Sequence, residues 1–547
     1  MPNLITRISL ALRAFRESLL ASDVVGSQSI DEFSAFETRR LRYAVYWSFY
    51  ENNAYRNLHA WAAALKTENA LYQHIRNIYN PAYRLGEFWK THLWGGWLDP
   101  EAGDGKVAMC ALPILVPRSN QKNEKRIRAS ISKLWEWSNW STNKDLATLW
   151  GTVFGDLGLM VVDDTETGKV YFELVNPATI QDVTVDSRGN VKGYVLSEYR
   201  EHPEKDIANR VTYTEIATRV EGGIQYETLL DGTPYAWNEE NGPSWTVGDY
   251  DFIPLVMIHH HEVGLDWGWS EFHPLRHKIQ ELDDLASKLH DHIRKSVDPM
   301  WMFSGVSKAT AEKSTIPKTT PTADRPQPSR EEVPALYANN PQARPWPLVA
   351  DLDLDSVVAE IKNMLSEIEA DYPELQVEIN QAIQTNSGRA VRLARQPAET
   401  KVNERRARYD DALARAQKMA MTIGGIRGYT DFGGINLESY AAGKLDHSIG
   451  PRPVFARDPL DELEIEEAFW TAATAAKEAG LPLHVYLKRH GWTDKEIAEV
   501  EKAVEKAAQQ AQSAPEPRQD ENVTGGSNGR DGGQAVGRKR EPVGQSR

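Results

Sequence analysis

An α+β chain, predominantly helical, is what the sequence predicts, and three observations carry that prediction. Long stretches place apolar residues at steps of three and four, the period of an amphipathic helix. The block 151–265 instead shows short strand-like runs separated by turn signals such as SRGN and DGTP, as an antiparallel β section does. The 547 residues are 41% hydrophobic and 26% charged, enough for two to four globular domains with their own cores.

Residues 1–40 read as an N-terminal helical arm. MPNLITRISLALRAFRESLL sets Arg7, Arg13 and Arg16 among apolar residues and lacks the unbroken apolar core and cleavage site of a secretory signal, so a surface helix is expected. Residues 41–150 are mostly helical and tryptophan-rich. Trp135, Trp137 and Trp140 in LWEWSNW are expected to pack in a core or between subunits rather than to form a sugar platform. The β section runs through LGLMVVDD, KVYFELVNP, VKGYVLSEYRE, RVTYTEIATRV and DFIPLVMIHHH.

From Glu271 the period turns helical. Phe272, Leu275, Ile279, Leu282, Leu285, Leu289 and Ile293 line one face of a helix over 271–297, roughly 40 Å long at 1.5 Å per residue. Nine prolines between 299 and 350 exclude a long helix there. The aromatic ends WMF and WPL favour a small extended β-containing module over a plain linker. A second amphipathic helix over 351–371 carries Leu354, Val358, Ile361, Leu365 and Ile368, close to a heptad seam. The simplest path is out along one helix, through the insert at 298–350, and back along the other.

A polar break, 372–388, leads to a long helix over 389–425 that stops near GGIRG. Residues 426–510 close the ordered chain. The tract 426–455 is glycine-rich and matches no pattern, and 455–510 is a helical module with a capping box at Thr493-Asp494-Lys495-Glu496. Residues 511–547, rich in Gly, Gln, Pro and Ser, are expected to be disordered.

A net charge of −15 argues against a chain that grips nucleic acid over its whole surface, though not against a local contact. The single cysteine, Cys110, excludes an intramolecular disulfide and fits a reducing compartment. No apolar run approaches the ~20 residues of a membrane span, so no membrane partner is expected.

Chemical motifs fail one after another. AGDGKVAM resembles a phosphate loop but has Val107 where magnesium needs a hydroxyl. GWSEF resembles a nucleophile elbow but ends in Phe272, so Ser270 reads as a helix cap. His259, His260 and His261 are neighbours on a strand end and point to alternate faces, a poor metal site. Asp351, Asp353 and Asp355 start like a calcium loop, but Ser356 and Lys362 stand where glycine and glutamate belong; acids at a helix N-terminus explain them better. No catalytic residue, metal or cofactor is expected.

What does stand out is a reversal of charge. Asp351–Glu378 holds nine carboxylates and one lysine, and Arg389–Lys418 holds nine basic residues and four acids. A solvated helix face explains either run alone. The order of parts around them adds a resemblance. YNPAYRLGEFWKTHLWGG, LWGTVFGDLGLMVVDD, VNPATIQDVTVDSRGNVKGYV, GWSEFHPLRHKIQELDDLASKLHDHIRKSVDPMWMFSG, TNSGRAVRLARQPAETKVNERRARYDDAL and LPLHVYLKRHGWTDKEIAEVEKAV resemble, in that order, segments of the portal proteins of tailed double-stranded DNA bacteriophages. The likeness covers roughly 40–510.

The resemblance implies a portal-like fold assembled as a ring, usually a dodecamer. Residues 41–270 would be the wing, 271–297 and 351–371 the stem helices, and 298–350 the clip. Residues 372–388 would be the tunnel loop, 389–425 the long wing helix and 426–510 the crown. The implied function is a channel at one capsid vertex through which double-stranded DNA is packaged and ejected. Implied partners are the large terminase motor, the head-completion adaptor, and the major capsid and scaffolding proteins. The implied location is the virion, with the host cytoplasm during assembly.

The expected DNA-facing tunnel loop holds Gln381, Gln384, Thr385, Asn386 and Ser387, neutral polar groups suited to weak, sequence-independent contacts. Glu360, Glu367, Asp371, Glu374 and Glu378 are expected to line the channel and repel phosphate. Arg389, Arg392, Arg395 and Arg405 are expected to pair with acids between subunits. Two other classes remain open: an oligomeric virion or scaffold protein that contacts DNA without conducting it, and a polymer-acting hydrolase with the tryptophan-rich half as its platform.

Overall fold

The computed structural model describes residues 35–56, 59, 62–63, 66–67, 71–95, 112–201, 210–237, 242–264, 266–297, 301–304, 335–338, 346–347, 353–376, 388–455, 459–490, 492, 497–504 and 506. Its contacts divide the chain into two compact units, Met1–Arg457 and Asp458–Arg547. The mixture of helices and sheets is that of an α+β protein.

The larger unit opens with α1 (Phe36–Tyr50), which crosses the expected boundary at residue 40 because Arg39 is already buried and donates to the carbonyls of Ile180 and Gln181. Helix α2 (Pro81–His92) starts on Asn80, whose side chain accepts from the Tyr83 amide, with proline at the first turn where no donor is needed. After β1 (Ile114–Leu115) and a 3-10 turn (Arg118–Asn123) come α3 (Glu124–Trp137) and α4 (Trp140–Phe154). Helix α4 ends on Gly155 at φ +93°, where a Cβ would lie 2.5 Å from the Trp269 carbonyl carbon; only glycine fits.

The β section follows as expected. Strands β2 (Asp156–Asp164) and β3 (Lys169–Val175) join β10 (Leu255–His259) in an antiparallel sheet of order β10-β2-β3. Strands β4 (Ile180–Val185), β5 (Val191–Glu201), β6 (Arg210–Val220), β7 (Gly223–Leu230) and β8 (Thr233–Pro234) form an antiparallel meander, with β9 (Ser244–Val247) on β7.

Helix α5 spans Arg276–Val297. It begins later than expected because Pro274 lacks an amide donor and disfavours helical geometry before it, so 271–275 form turns. Among its described residues the insert contains three strands, β11 (Trp301–Ser304), β12 (Ala335–Ala338) and β13 (Trp346–Pro347), in the order β12-β11-β13, with β11 and β12 parallel. Helix α6 (Leu354–Asp371) is capped by Asp353, which accepts from the amides of Asp355 and Ser356 at 3.2 and 3.3 Å. Helix α7 (Gly388–Arg427) has 40 residues, roughly 60 Å at 1.5 Å per residue, and carries Pro397 in its first third.

The glycine-rich tract finds its place against α7. Gly424 and Gly425 stay inside the helix because a Cβ there would lie 2.8 Å from the Phe432 ring and 2.3 Å from the Ile435 carbonyl oxygen. Helix α8 (Leu437–Ala441) and β14 (Ser448–Ile449), which pairs with β1, complete this wrap. The expected 426–510 domain therefore divides: its first part packs Phe432, Ile435, Leu445 and Val454 into the main core, and the rest belongs to the second unit.

Two cores result. One lies among β2, β3, β10, the meander, α3, α4 and α7, and buries Trp89, Trp94, Trp135, Trp140 and Tyr409. The other joins α1 to α5 and α6 through Tyr43, Tyr46, Phe49, Ile279, Leu282, Ile361 and Ile368. The second unit contains α9 (Pro459–Glu478) and α10 (Leu483–Arg489), with Phe469 stacked on Trp492 at 6.1 Å, and residues 497–504 are helical. Thr493–Glu496 and the tail 511–547 lie outside the described residues. No described helix is long and apolar enough to cross a membrane.

Candidate functional site

The reversal of charge resolves into a buried ionic joint. Glu271, in the turns before α5, is 3% exposed, because Ser270 and Phe272 on either side are drawn into the body. Its Oε1 accepts from Arg405 Nε at 3.1 Å, and its Oε2 lies 3.1 Å from Lys401 Nζ. Lys401 also reaches Glu374 Oε1 at 2.5 Å, an ion contact off hydrogen-bond geometry that leaves both Glu374 oxygens without a donor in line. His260 completes the group: its Nε2 lies 3.4 Å from Glu271 Oε1 and its Nδ1 lies 2.9 Å from the Tyr409 hydroxyl. Trp89 and Tyr372 cover Lys401, with ring centroids 5.8 and 5.0 Å from its nitrogen.

The two carboxylates are pushed in opposite directions. Burial alone would raise Glu271, but Lys401, His260 and Arg405 outweigh it and hold the acid well below its usual range. Burial raises Glu374; Lys401 opposes that and the Glu271 charge adds to it. Burial pushes His260 down to about 4, so it is neutral at pH 7. The joint ties the turns before α5, the exit of α6, the strand end of β10 and α7 together with matched charge, as buried ions require.

Other described basic residues of α7 likewise find partners within the chain. Arg406 donates Nε to Leu93 O, Nη1 to Asn403 Oδ1 and Arg452 O, and Nη2 to His92 O and Pro453 O, which caps the C-terminal carbonyls of α2. Arg408 pairs with Glu262, Arg415 with Asp411, Lys418 with Asp446, and Arg427 with Asp163 and Asp249. Arg405 was expected between subunits; it is instead 2% exposed and bonded to Glu271 of its own chain. Arg395 lies over the Phe455 ring at 5.2 Å. Arg389 and Arg392 fall within α7, but their side chains lie outside the described residues.

The acidic residues divide. Glu374, expected on a channel wall, has no exposed surface and cannot face one: its neighbours Tyr372 and Leu375 carry it into the core. Glu367 and Asp371 are exposed and share Lys278 of α5, at 2.7 and 2.6 Å. Glu360 is exposed on α6. Glu378, Gln381, Gln384, Thr385, Asn386 and Ser387 lie outside the described residues.

The failed motifs have structural uses. Ser270 Oγ accepts from the Phe272 amide and donates to Thr152 O, fixing the turn before α5. His259 Nδ1 meets the buried Asp156 at 2.6 Å while His260 turns to Glu271, so adjacent histidines do serve opposite faces. Asp156 also accepts from Tyr43 Oη and the Gly268 amide. Trp135 and Trp140 are core residues, and Trp137 stacks on Phe432. Among the described residues no cluster of His, Cys, Asp and Glu is placed to hold a metal. Sequence reasoning missed Glu271 and Asp156; an acid flanked by core residues, as in WSEFH, was the available signal.

No protein-family model matches the sequence, and no curated protein matches it.

Proposed function

We propose that this chain is a portal protein, one subunit of a ring that conducts double-stranded DNA into and out of a bacteriophage capsid. The observation that carries the reading is the incomplete cover of α6. Of its 18 residues only Ile361 and Ile368 are buried, while Leu354 and Val358 are 41% and 38% exposed. An amphipathic helix with an uncovered apolar stripe calls for a further surface, and a second copy of the same helix pair supplies one. The exposed Glu360, Glu367 and Asp371 on the same helix suit a channel wall that must not hold phosphate.

Two further features support this. Helices α5 and α6 flank an insert of three short strands, as stem helices flank a clip. Among the described residues, Arg405, Arg406, Arg408, Arg415 and Arg427 of α7 are occupied inside the chain, which limits how much of this basic helix is left to hold DNA. In this reading the ring docks the terminase motor and the head-completion adaptor, meets the major capsid and scaffolding proteins, and performs no chemistry of its own.

The test is native mass with negative-stain images of the same sample, with and without coexpressed scaffold. The expected result is a ring of about a dozen 61.6 kDa subunits around a hole wide enough for a duplex. A solid oligomer without an axial hole would favour a non-conducting virion component. A compact monomer or dimer under both conditions would overturn the proposal.

A further inference from the structure

The stretch 71–80 is neither helix nor strand, yet four of its amides, those of Tyr72, Arg76, Ile78 and Tyr79, are taken by one neighbour. Helix α5 presents a rail of acceptors to it. Asp284 Oδ1 takes the Tyr72 amide at 2.5 Å, Ser287 Oγ takes the Arg76 amide at 3.0 Å, and Asp283 Oδ1 takes both the Ile78 and Tyr79 amides at 3.0 Å. Asp291 accepts from Tyr72 Oη and Arg76 Nη2, each at 2.6 Å. Residues 283, 287 and 291 recur once per turn, so this is one face of α5. The segment runs directly into α2, whose cap Asn80 also donates to Tyr50 O.

Asp283 is the unusual member of the rail. It has no exposed surface, and its Oδ2 has no hydrogen-bond partner. The Tyr55 hydroxyl, buried behind α1, lies beside it without forming a well-directed bond. Charges around it are committed elsewhere: on α5 itself Asp284 pairs with Lys288, and on the segment Arg76 pairs with Asp291. Helix α6 brings only Ile361 and Ile368 to this core as buried side chains. Burial therefore raises the acid to about 7, against the lowering effect of the Tyr79 and Ile78 amides and the Tyr55 hydroxyl.

We propose that residues 71–79 form a releasable strap on α5, held by the neutral form of Asp283 and loosened when that carboxyl ionises. The neutral acid keeps Oδ1 for the two amides and gives Oδ2 a proton to donate. The ionised acid leaves a charge in an apolar site with only neutral donors, the two amides and the Tyr55 hydroxyl, to meet it. Since the closed strap raises the acid above the 3.8 of the open, solvated group, closure is favoured at low pH and weakens as pH rises towards 7. Strap and α2 are continuous in sequence, so the anchoring on α5 of the chain that leads into α2 becomes sensitive to pH.

Hydrogen exchange of peptides covering 71–80, corrected for intrinsic rates, tests this in the full-length protein. Opening is expected to rise about tenfold per pH unit between pH 5 and 7 and to level off by pH 8. In Asp283→Asn the profile should be flat. In Tyr55→Phe, which removes a group that lowers the acid, the plateau should move to higher pH. A flat wild-type profile, or the same slope in peptides across the β meander, overturns the proposal; so does an unchanged slope in Asp283→Asn. The wild-type and Tyr55→Phe profiles decide the matter even where Asp283→Asn fails to fold.

Discussion

The ionic joint and the outer face of α6 use the same side chains in opposite surroundings. In the joint, Glu271, Glu374 and Arg405 are buried and meet Lys401, whose side chain is only 22% exposed. On the outer face, Lys278 meets Glu367 and Asp371 with side chains 35%, 67% and 52% exposed. Solvent screens the second group, so its attraction is offset by hydration and side-chain entropy. In the first, water has little access to the buried carboxylates and Arg405, and removing one ion strands the others. Short ion-pair distances occur in both places; burial decides which of them the fold depends on.

The comparison can be broken most severely at Glu271. Glu271→Gln leaves Arg405 and Lys401 facing an uncharged amide, and we expect a loss of about 3–5 kcal/mol in urea unfolding followed by tryptophan fluorescence. A smaller loss, within that of an exposed pair, would mean the joint is wetter than its burial implies.

Acid is the next lever. His260 is held at about 4, against 6.5 for the free group, and burial likewise pushes His273 down to about 3. A folded pKa below the unfolded value means that the unfolded chain takes up protons first. Stability from each histidine is thus complete above about pH 6.5 and is lost as pH falls towards the folded value, about 2 kcal/mol apiece at pH 5. Glu271, depressed, adds its loss only at lower pH still. The raised acids Asp283 and Glu374 gain stability over the same range and offset part of this loss, so the drop is read as the difference between the wild type and His273→Gln at pH 7 and at pH 5. Lys278→Ala should leave the drop unchanged.

Glu374→Gln sharpens the contrast within the joint. The raised acid is costly to ionise when folded, so its contribution declines as pH rises through its folded value. The glutamine variant should gain on the wild type between pH 5 and pH 8, whereas Glu271→Gln should not. Equal pH profiles for the two variants would mean that the carboxylates are interchangeable. The smallest effect belongs to the outer face: Lys278→Ala should change chain stability by no more than about 1 kcal/mol. Leu354→Asp with Val358→Asp should be as mild for the chain while abolishing oligomers in native mass spectra. Loss of fold instead would mean that the stripe is covered within the chain.

Much of the fold was legible in the residues. The steps of three and four marked α5 and α6, the GGIRG stop marked the end of α7, the short runs between turn signals marked the strands, and the aromatic ends WMF and WPL marked β11 and β13. The acids at Asp353 and Asp355 read correctly as a helix start. The glycine-rich tract after α7 was opaque, because its place is set by Phe432 and Ile435 packing on Gly424 and Gly425 of the helix, a contact that forms only when the chain folds back. The charge reversal was visible, but not who pairs with whom. Arg405 and Glu271 are 134 residues apart, and no local pattern reports such a contact.

What the sequence determined by itself is therefore local: the period of α5 and α6, the short runs and turns of the β section, the stops and caps, and the change of charge sign at the polar break. These depend on interactions within a few residues of chain. Tertiary structure alone decided which charges are buried. Glu374 and Glu367 look alike on paper and lie seven residues apart, yet one has no exposed surface and the other is open to water. Burial depends on the neighbours that distant segments supply, and desolvation, rather than charge count, sets what a carboxylate does.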